Sequence, residues 1–344
     1  MDIRTNVKFD LGSNDTSFTT LTRRRNQKCK FAVMRGRVTK STGAINLVRN
    51  ENSEIYACTV KGNFRVKGIR STNPVAVGDW VEFEERDENE GVIKRLEKRD
   101  NYIIRKSINL SKRGHILASN IDQVLVFVTL KDPETTFGFV DRVIISAEAY
   151  HIKPVLVFNK ADLLGEDDRE LLEKWLKTYT AIGYECIQIS VTENVNLDLI
   201  QENMKGKTSM LAGHSGTGKS SLVNALDSEL SLSTGKISDH HRQGKHTTTF
   251  AEMHHLSFGA DIVDTPGIRG FGIIDIDKKV LSHYFLEMRA VLEGCKFNDC
   301  QHVNEPHCAV MEAAKGGLVA QSRYKSYLSM LDEDDEQTFR TTNY

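Results

Sequence analysis

Residues 213–220, with the sequence GHSGTGKS, constrain this chain most because they match the phosphate-binding pattern G-x-x-x-x-G-K-[ST]. Residues 208–212 form a mostly apolar run that predicts a buried strand, and residues 221–226 have the apolar spacing of a helix. This strand, loop and helix context predicts that backbone NH groups turn toward the phosphates of a nucleotide. We expect phosphate contacts from Gly213, His214, Ser215, Gly216, Thr217, Gly218, Lys219, Ser220 and Ser221.

Two side chains of this loop have specific predicted roles. Lys219 places a positive charge between the β- and γ-phosphates, and the Ser220 hydroxyl is a natural Mg²⁺ ligand. Further along, residues 244–249 (GKHTTT) lie in a polar stretch that predicts a switch segment. Within it Thr248 is the candidate for a second Mg²⁺ ligand.

A second catalytic pattern follows the predicted strand 260–263. Residues 264–267 read Asp-Thr-Pro-Gly, a D-x-x-G pattern that is common by chance and gains meaning from its place downstream of the phosphate loop. There Asp264 can hold the Mg²⁺ shell, and the Gly267 NH can meet the γ-phosphate.

The preferred base is indicated by residues 159–162, Asn-Lys-Ala-Asp, at the end of a predicted strand. The apolar runs 124–128 and 154–158 flank an amphipathic stretch, which predicts a βαβ unit with parallel strands. The Asp162 carboxylate offers two acceptors that match the N1-H and 2-amino donors of guanine. Asn159 and Lys160 complete this motif, and Ser190 at the next strand end is a weaker candidate base contact.

The amino-terminal third of the chain is strongly basic. Residues 23–70 hold thirteen Lys or Arg against two Glu, a local balance of +11 within a chain of net charge −1. This asymmetry predicts a polyanionic partner, with Arg35 and Arg37 among the contacts.

The organisation along the chain predicts a multidomain protein of 344 residues. Five short β-rich runs, at 30–34, 43–48, 55–60, 77–83 and 91–93, favour an OB-type barrel that binds RNA, with a purely structural barrel as the alternative. We expect the following divisions: a flexible basic arm at 1–30, the barrel at 31–100, a linker at 101–118, an α/β P-loop domain at 119–285 and a zinc-binding helical tail at 286–344.

The tail contains the pattern C-x4-C-x-H-x5-C. Three thiolates and one imidazole match a closed tetrahedral Zn²⁺ site of the structural kind. The predicted ligands are Cys295, Cys300, His302 and Cys308, and His307 is a competing ligand that spacing leaves open. Residues 310–330 predict a packed helix, with an RNA contact by Arg323, Tyr324, Lys325 and Tyr327 as the alternative.

No apolar run approaches the roughly 18 to 20 residues that span a bilayer. The first residues also lack the apolar segment of a signal peptide. We therefore expect a cytoplasmic protein without a membrane partner.

The order of the motifs along the chain is base motif, phosphate loop, switch threonines and DTPG, whereas a Ras-like GTPase begins with its phosphate loop. A circular permutation is indicated. With the barrel and the Cys/His tail, residues 31–330 resemble the ribosome small-subunit-dependent GTPase A family. The resemblance implies a monomeric GTPase that uses GTP/GDP with Mg²⁺, binds the small (30S) ribosomal subunit and its 16S rRNA late in maturation, and leaves upon GTP hydrolysis.

Ras-like enzymes place a water-orienting Gln directly after D-x-x-G, but this chain has Ile268, which cannot hydrogen-bond to water. His246 is the candidate that completes catalysis, and an ordinary switch-loop histidine is the alternative. Two rival functions remain open. Asn159 and Asp162 disfavour an ATPase or kinase, and the intact loop disfavours an RNA-binding scaffold with little hydrolysis.

Overall fold

The computed structural model describes residues 33–60, 74–105, 115–230, 251–264 and 276–333. The strands are β1 Val33–Ser41, β2 Asn46–Asn50, β3 Ile55–Val60, β4 Trp80–Asp87, β5 Glu90–Leu96, β6 Tyr102–Arg105, β7 His115–Ser119, β8 Gln123–Val128, β9 Lys153–Phe158, β10 Glu185–Gln188, β11 Thr208–Ala212, β12 Glu252–Leu256 and β13 Ala260–Asp264. The α-helices are α1 Phe137–Ala149, α2 Glu166–Ile182, α3 Leu197–Met204, α4 Lys219–Leu226, α5 Leu286–Arg289, α6 Ala309–Lys315 and α7 Gln321–Asp332. Short 3-10 helices span Ala161–Leu163, Ser228–Leu230, Lys278–Tyr284 and Leu292–Gly294.

The first five strands close into a barrel. They pair in the order β1-β2-β3-β5-β4, and β4 pairs again with β1. All of these pairs are antiparallel except β3 with β5. The interior is filled by buried Val38, Val48, Val81, Phe83 and Ile93. The predicted OB-type barrel is confirmed.

The first barrel strand differs from the prediction. It runs from Val33 to Ser41, whereas the apolar pattern placed it at residues 30–34. The error arose because the strand carries Arg35, Arg37 and Lys40, whose charges hide the alternation of the buried positions. Gly36 and Val38 lie on the buried side, where Gly36 has no room for a side chain because an added Cβ would approach Val48 to 2.5 Å.

The stretch 101–118, which we predicted to be a linker, contributes two strands. β6 and β7 pair antiparallel, and Val77 bridges Ala118. Ile103 and Ala118 are buried in the same core as Val124 of the α/β domain. This hydrophobic burial places β6 and β7 between the barrel and the α/β domain.

The α/β domain is built on a sheet with the order β10-β9-β8-β11-β13-β12, in which β12 is antiparallel to its neighbour β13. β8 and β9 pair parallel and are joined by α1, so the predicted βαβ unit is confirmed. β8 is the first strand of this order to occur in the chain. β9 and β10 follow on one side of β8, and β11, β12 and β13 then lie on its other side. Since a sheet can keep its spatial order when the chain begins elsewhere, this route is that of a circularly permuted domain.

The carboxy-terminal helices pack on the α/β domain through a buried arginine. Arg323 of α7 is fully buried and donates to Asp141 of α1 and to Glu287 of α5, each at 2.7 Å. The expected packed helix at 310–330 is two helices, because the chain turns at Gly316 and Gly317, where Gly317 has a φ of 80°. In the described part of the chain, no helix has both the length and the apolar character needed to cross a membrane.

Candidate nucleotide site and metal centre

The predicted phosphate loop connects β11 to the first turn of α4. Gly218 caps this helix with left-handed backbone angles, φ 97° and ψ 14°. A side chain at this position would collide with the Asn159 amide, so glycine is required both by the backbone angles and by the close approach. The loop thus presents the positive end of the α4 dipole, which favours anion binding.

Lys219 is largely buried within this loop, with 9% of its surface exposed. Its ammonium donates hydrogen bonds to the carbonyl oxygens of Gly213 at 2.8 Å and His214 at 2.6 Å. The loop itself therefore holds the positive charge at the place where the predicted phosphate contacts converge. Ser220 follows in the first turn of α4, partly exposed.

The His214 side chain packs against α1. Its ring lies 4.0 Å from that of Phe139, measured between centroids. Burial, followed by the charge of Lys219, lowers the pKa of His214 below its usual value of 6.5. The imidazole is therefore neutral at pH 7 and does not compete with Lys219 for an anion. No sequence motif marks Phe139, so its contact with the loop was not predicted.

The base motif and the phosphate loop meet at Asn159, which is buried at the end of β9. Its side-chain amide donates to the Thr217 carbonyl at 2.8 Å. The Val191 NH donates to the other end of the same amide at 3.3 Å. Asn159 therefore joins the base motif, the turn after Ser190 and the phosphate loop, which are separate in the sequence. These bonds fix the distance between the base motif and the phosphate loop.

Asp162 is exposed beyond Asn159, and Ser190 orients it. The Ser190 hydroxyl donates to one carboxylate oxygen of Asp162 at 2.5 Å, and the Glu193 NH donates to the Ser190 oxygen at 3.1 Å. The carboxylate oxygens retain acceptor capacity of the kind that guanine requires. Lys160 has left-handed backbone angles, and its ammonium donates to the Asp132 carbonyl.

Asp264 is the last residue of β13, which pairs parallel with β11, the strand before the phosphate loop. The carboxyl ends of these neighbouring strands point to the same edge of the sheet, where α/β proteins bind ligands. His246, Thr248 and Gly267 lie outside the described residues, as does the side chain of Asp264.

The predicted zinc ligands lie together in the tail. The four ligand atoms of Cys295, Cys300, His302 and Cys308 all lie within 4.8 Å of one another, and His307 is not part of this group. The His302 Nδ1 atom is 3.6 Å from the Cys295 sulfur and 3.3 Å from the Cys308 sulfur. Ligands about 2.0 to 2.3 Å from a tetrahedral Zn²⁺ are spaced roughly in this way.

The chemistry of these thiols also fits a cation. Burial raises the pKa of the Cys300 thiol to about 12 and raises the pKa of the Cys308 thiol. Thiolates at these positions therefore need a nearby positive charge. The backbone of the cluster is tied to α7, because Tyr324 donates to the His302 carbonyl and Tyr327 to the Gln301 carbonyl, each at 2.7 Å. Tyr327, like Arg323, is thus part of the packed core, as the helical pattern indicated.

The two arginines predicted as polyanion contacts have different environments. Arg35 lies over the Trp80 ring at 4.0 Å, pairs with Glu97 at 2.8 Å and retains an exposed surface. Arg37 is buried and pairs with Asp261 at 3.3 Å. The prediction for Arg37 was wrong, because its guanidinium is buried and pairs with a residue far along the chain.

Two family models match successive parts of the chain: the RsgA N-terminal domain matches residues 35–93, and the RsgA GTPase matches residues 96–274. A relative from Christiangramia forsetii is 49% identical over 90% of this chain and 99% of its own length, and one from Flavobacterium johnsoniae is 51% identical over 90% and 96%. Both are named small ribosomal subunit biogenesis GTPase RsgA.

Two solved structures are similar over most of the chain. YjeQ from Thermotoga maritima has a TM-score of 0.71 and 34% identity, and the match covers 87% of this chain and 98% of that one. YloQ, described as a circularly permuted GTPase, has a TM-score of 0.68 and 25% identity, with 91% and 98% covered. These matches agree with the route of the chain through the sheet.

Proposed function

We propose the following function for this chain, which belongs to the RsgA GTPase family and is a GTP hydrolase. Its hydrolysis of GTP to GDP and phosphate serves the biogenesis of the small ribosomal subunit, in the cytoplasm and as a monomer. It binds the 30S subunit through 16S rRNA, and the barrel of residues 31–100 supplies contacts to the RNA. The relatives' names and the basic amino-terminal third of the chain support this partner.

The observation that carries the nucleotide assignment is the hydrogen bond from Asn159 to Thr217 at 2.8 Å. It joins the segment that selects the base to the loop that holds the phosphates. A fixed separation between these two segments favours a ligand that carries both a base and phosphates over a phosphate or a base alone. The Ser190 bond to Asp162 then favours guanine, because it fixes the orientation of a carboxylate that can accept from the base.

Each residue of the nucleotide site has a separate proposed role in GTP binding or hydrolysis. Asp162 accepts from the base, and Lys219 with the loop NH groups stabilises the negative charge that develops on the phosphates. Ser220 and Thr248 would hold Mg²⁺ with support from Asp264, and the ion would supply further charge neutralisation. The Gly267 NH meets the γ-phosphate. Because Ile268 cannot orient water, His246 positions the attacking water.

The metal centre has a structural role in this proposal. Cys295, Cys300, His302 and Cys308 hold one Zn²⁺, with no coordination position left open for catalysis. The cluster lies at the amino end of α6, where Cys308 also accepts from the Met311 NH at 3.4 Å. A bound ion fixes this segment against α7, and its binding energy is part of the folding energy of the tail.

Replacing one zinc ligand is expected to release the metal and destabilise the tail. In Cys300→Ser we expect less than stoichiometric zinc and a lower unfolding temperature, because a hydroxyl is a weak Zn²⁺ ligand and the binding energy stabilises the fold. Elemental analysis and thermal unfolding measure both quantities. Cys186→Ser is the matched control, since Cys186 lies on β10 outside the cluster. Undiminished zinc and stability in Cys300→Ser would show that the thiol is not a ligand.

The proposed partner is tested by co-sedimentation of the protein with purified small subunits in GDP and in a non-hydrolysable GTP analogue. We expect stronger binding in the GTP analogue and release in GDP. Parallel samples with ADP and an ATP analogue control for the base. Equal binding to small and large subunits, or binding that no guanine nucleotide alters, would contradict the proposal.

A further inference from the structure

The barrel and the catalytic strands belong to one hydrogen-bonded sheet. Strand β1 of the barrel pairs with β12, in the register Lys40 opposite Glu252. The side chains of these two residues form an ion pair at 2.9 Å. β12 pairs in turn with β13 from Glu252 opposite Asp264 to Leu256 opposite Ala260. A single strand therefore separates the barrel from the strand that ends at Asp264.

A cluster of charges reinforces this junction at Asp261 of β13. Arg37 of β1 donates to one carboxylate oxygen at 3.3 Å, and Arg49 of β2 donates to the other at 2.8 Å. The His255 ring of β12 lies 2.9 Å from the oxygen that Arg49 contacts. The side chains of Arg37, Arg49 and Asp261 are only 10%, 15% and 12% exposed.

Arg37 is held from both sides of the junction. Its guanidinium also donates to the carbonyl oxygens of Asn120 at 2.8 Å and Gly78 at 3.4 Å. Buried ion pairs add little net stability compared with apolar packing, but they demand a defined geometry. The main effect of the network is therefore to fix the position of β13 relative to the barrel, and its contribution to the stability of the fold is small.

The β12–β13 hairpin lies between the two predicted catalytic segments of the chain. The predicted switch segment, residues 244–249, ends shortly before β12, and the D-x-x-G pattern begins at the last residue of β13. Both catalytic segments are therefore attached to the hairpin that the barrel holds.

We propose that Asp261, held by Arg37 and Arg49, is a positioning residue that couples RNA binding by the barrel to GTP binding by the α/β domain. RNA bound to the barrel and GTP bound to the α/β domain stabilise the same placement of the hairpin, so each strengthens the binding of the other. By linkage the two effects are equal in size. This inference rests on the proposed function, since it assigns the route by which the subunit and GTP influence each other.

The test compares variants by one ratio: the affinity for small subunits in a non-hydrolysable GTP analogue divided by that in GDP. We expect a ratio of about 5 to 150 in the unmodified protein, the usual range of coupling between two sites. In Asp261→Asn the ratio is expected to fall close to one, while GDP affinity changes less than about twofold, because Asp261 lies outside the predicted nucleotide contacts. Arg49→Lys is expected to retain most of the ratio, since it keeps the charge.

The matched control is Lys153→Gln, which removes an ion pair with Glu185 outside the barrel and outside the cluster and should keep the full ratio. If Asp261→Asn no longer folds, as judged by thermal unfolding and GDP binding, the same ratio is measured in Arg49→Gln. This variant keeps the ion pair between Arg37 and Asp261, so it disturbs the fold less. A full ratio in a folded variant of the cluster would overturn the coupling alone. A ratio of one in the unmodified protein would overturn both the coupling and the proposed GTP-dependent binding of the subunit.

Discussion

Replacing Lys219 with alanine is expected to lower GTP turnover by about 10³-fold or more, because one preorganised charge on the transferring phosphate typically contributes roughly 10²–10³ and Lys219 also contributes to nucleotide binding. The loop carbonyls of Gly213 and His214 hold this ammonium in place before any nucleotide arrives. Its loss therefore removes a fixed charge, which solvent cannot replace. Steady-state phosphate release and nucleotide affinity measure the two parts of the effect.

Two further variants show whether position or charge matters at Lys219. Lys219→Arg keeps the charge but replaces a compact ammonium with a planar fork, so it is also expected to lose most turnover. Lys177→Ala, on an exposed position of α2, removes the same charge elsewhere and should turn over GTP like the unmodified protein. Appreciable turnover in Lys219→Ala would contradict the assignment of the loop.

Replacing Asp162 with asparagine is expected to weaken GTP binding by roughly 10²–10⁴-fold, since two hydrogen bonds worth about 1–3 kcal/mol each are lost. The amide introduced at this position would present a donor to the donors of guanine, whereas xanthine carries a 2-oxo acceptor there. XTP should therefore bind the variant better than GTP. The Ser190 hydroxyl can still donate to the amide oxygen, so the loop geometry should persist.

Competition among GTP, XTP and ATP for the Asp162→Asn variant measures this change of preference. Asp167→Asn, on the exposed first turn of α2, removes the same charge and should keep the GTP preference. Unchanged GTP affinity in Asp162→Asn would show that the carboxylate does not read the base. Tighter ATP than XTP binding would instead favour the ATPase alternative.

The parts of the site that could be predicted from sequence are those in which neighbouring residues supply the chemistry. The phosphate loop, Asn159 to Asp162 and the cluster from Cys295 to Cys308 each fall within a short stretch of chain. Their spacing is fixed by the ligand, so the residue pattern alone indicates the chemistry. The order of the motifs then predicted the circular permutation, which the sheet order supports.

The remaining features depend on partners far apart in sequence. The sequence pattern places Arg37 in a basic, polyanion-binding stretch, but its guanidinium pairs inside the protein with Asp261, which lies 224 positions away. The His214 contact with Phe139 has the same character, because packing between a loop and a distant helix leaves no local pattern. The first barrel strand was misplaced for a related reason: Arg37 and Lys40, which interrupt its apolar pattern, have partners on other strands. Such pairings require the tertiary structure.

Stimulation of GTP hydrolysis by the small ribosomal subunit is the central claim about this protein. Ile268 leaves the attacking water without the usual side chain to orient it, so the isolated protein should turn over slowly. The partner that completes the site should be a polyanion, since residues 23–70 still hold eleven Lys or Arg against two Glu when the buried Arg37 and Arg49 are left out. Contacts of such residues with phosphates weaken steeply with salt.

Steady-state phosphate release, measured with and without purified small subunits at two salt concentrations, tests this claim most directly. Large subunits at the same concentration serve as the control for RNA in general. We predict a slow basal rate, a strong stimulation by small subunits at low salt, and a loss of that stimulation at high salt. A basal rate that is already fast and is indifferent to small subunits at both salt concentrations would contradict the claim.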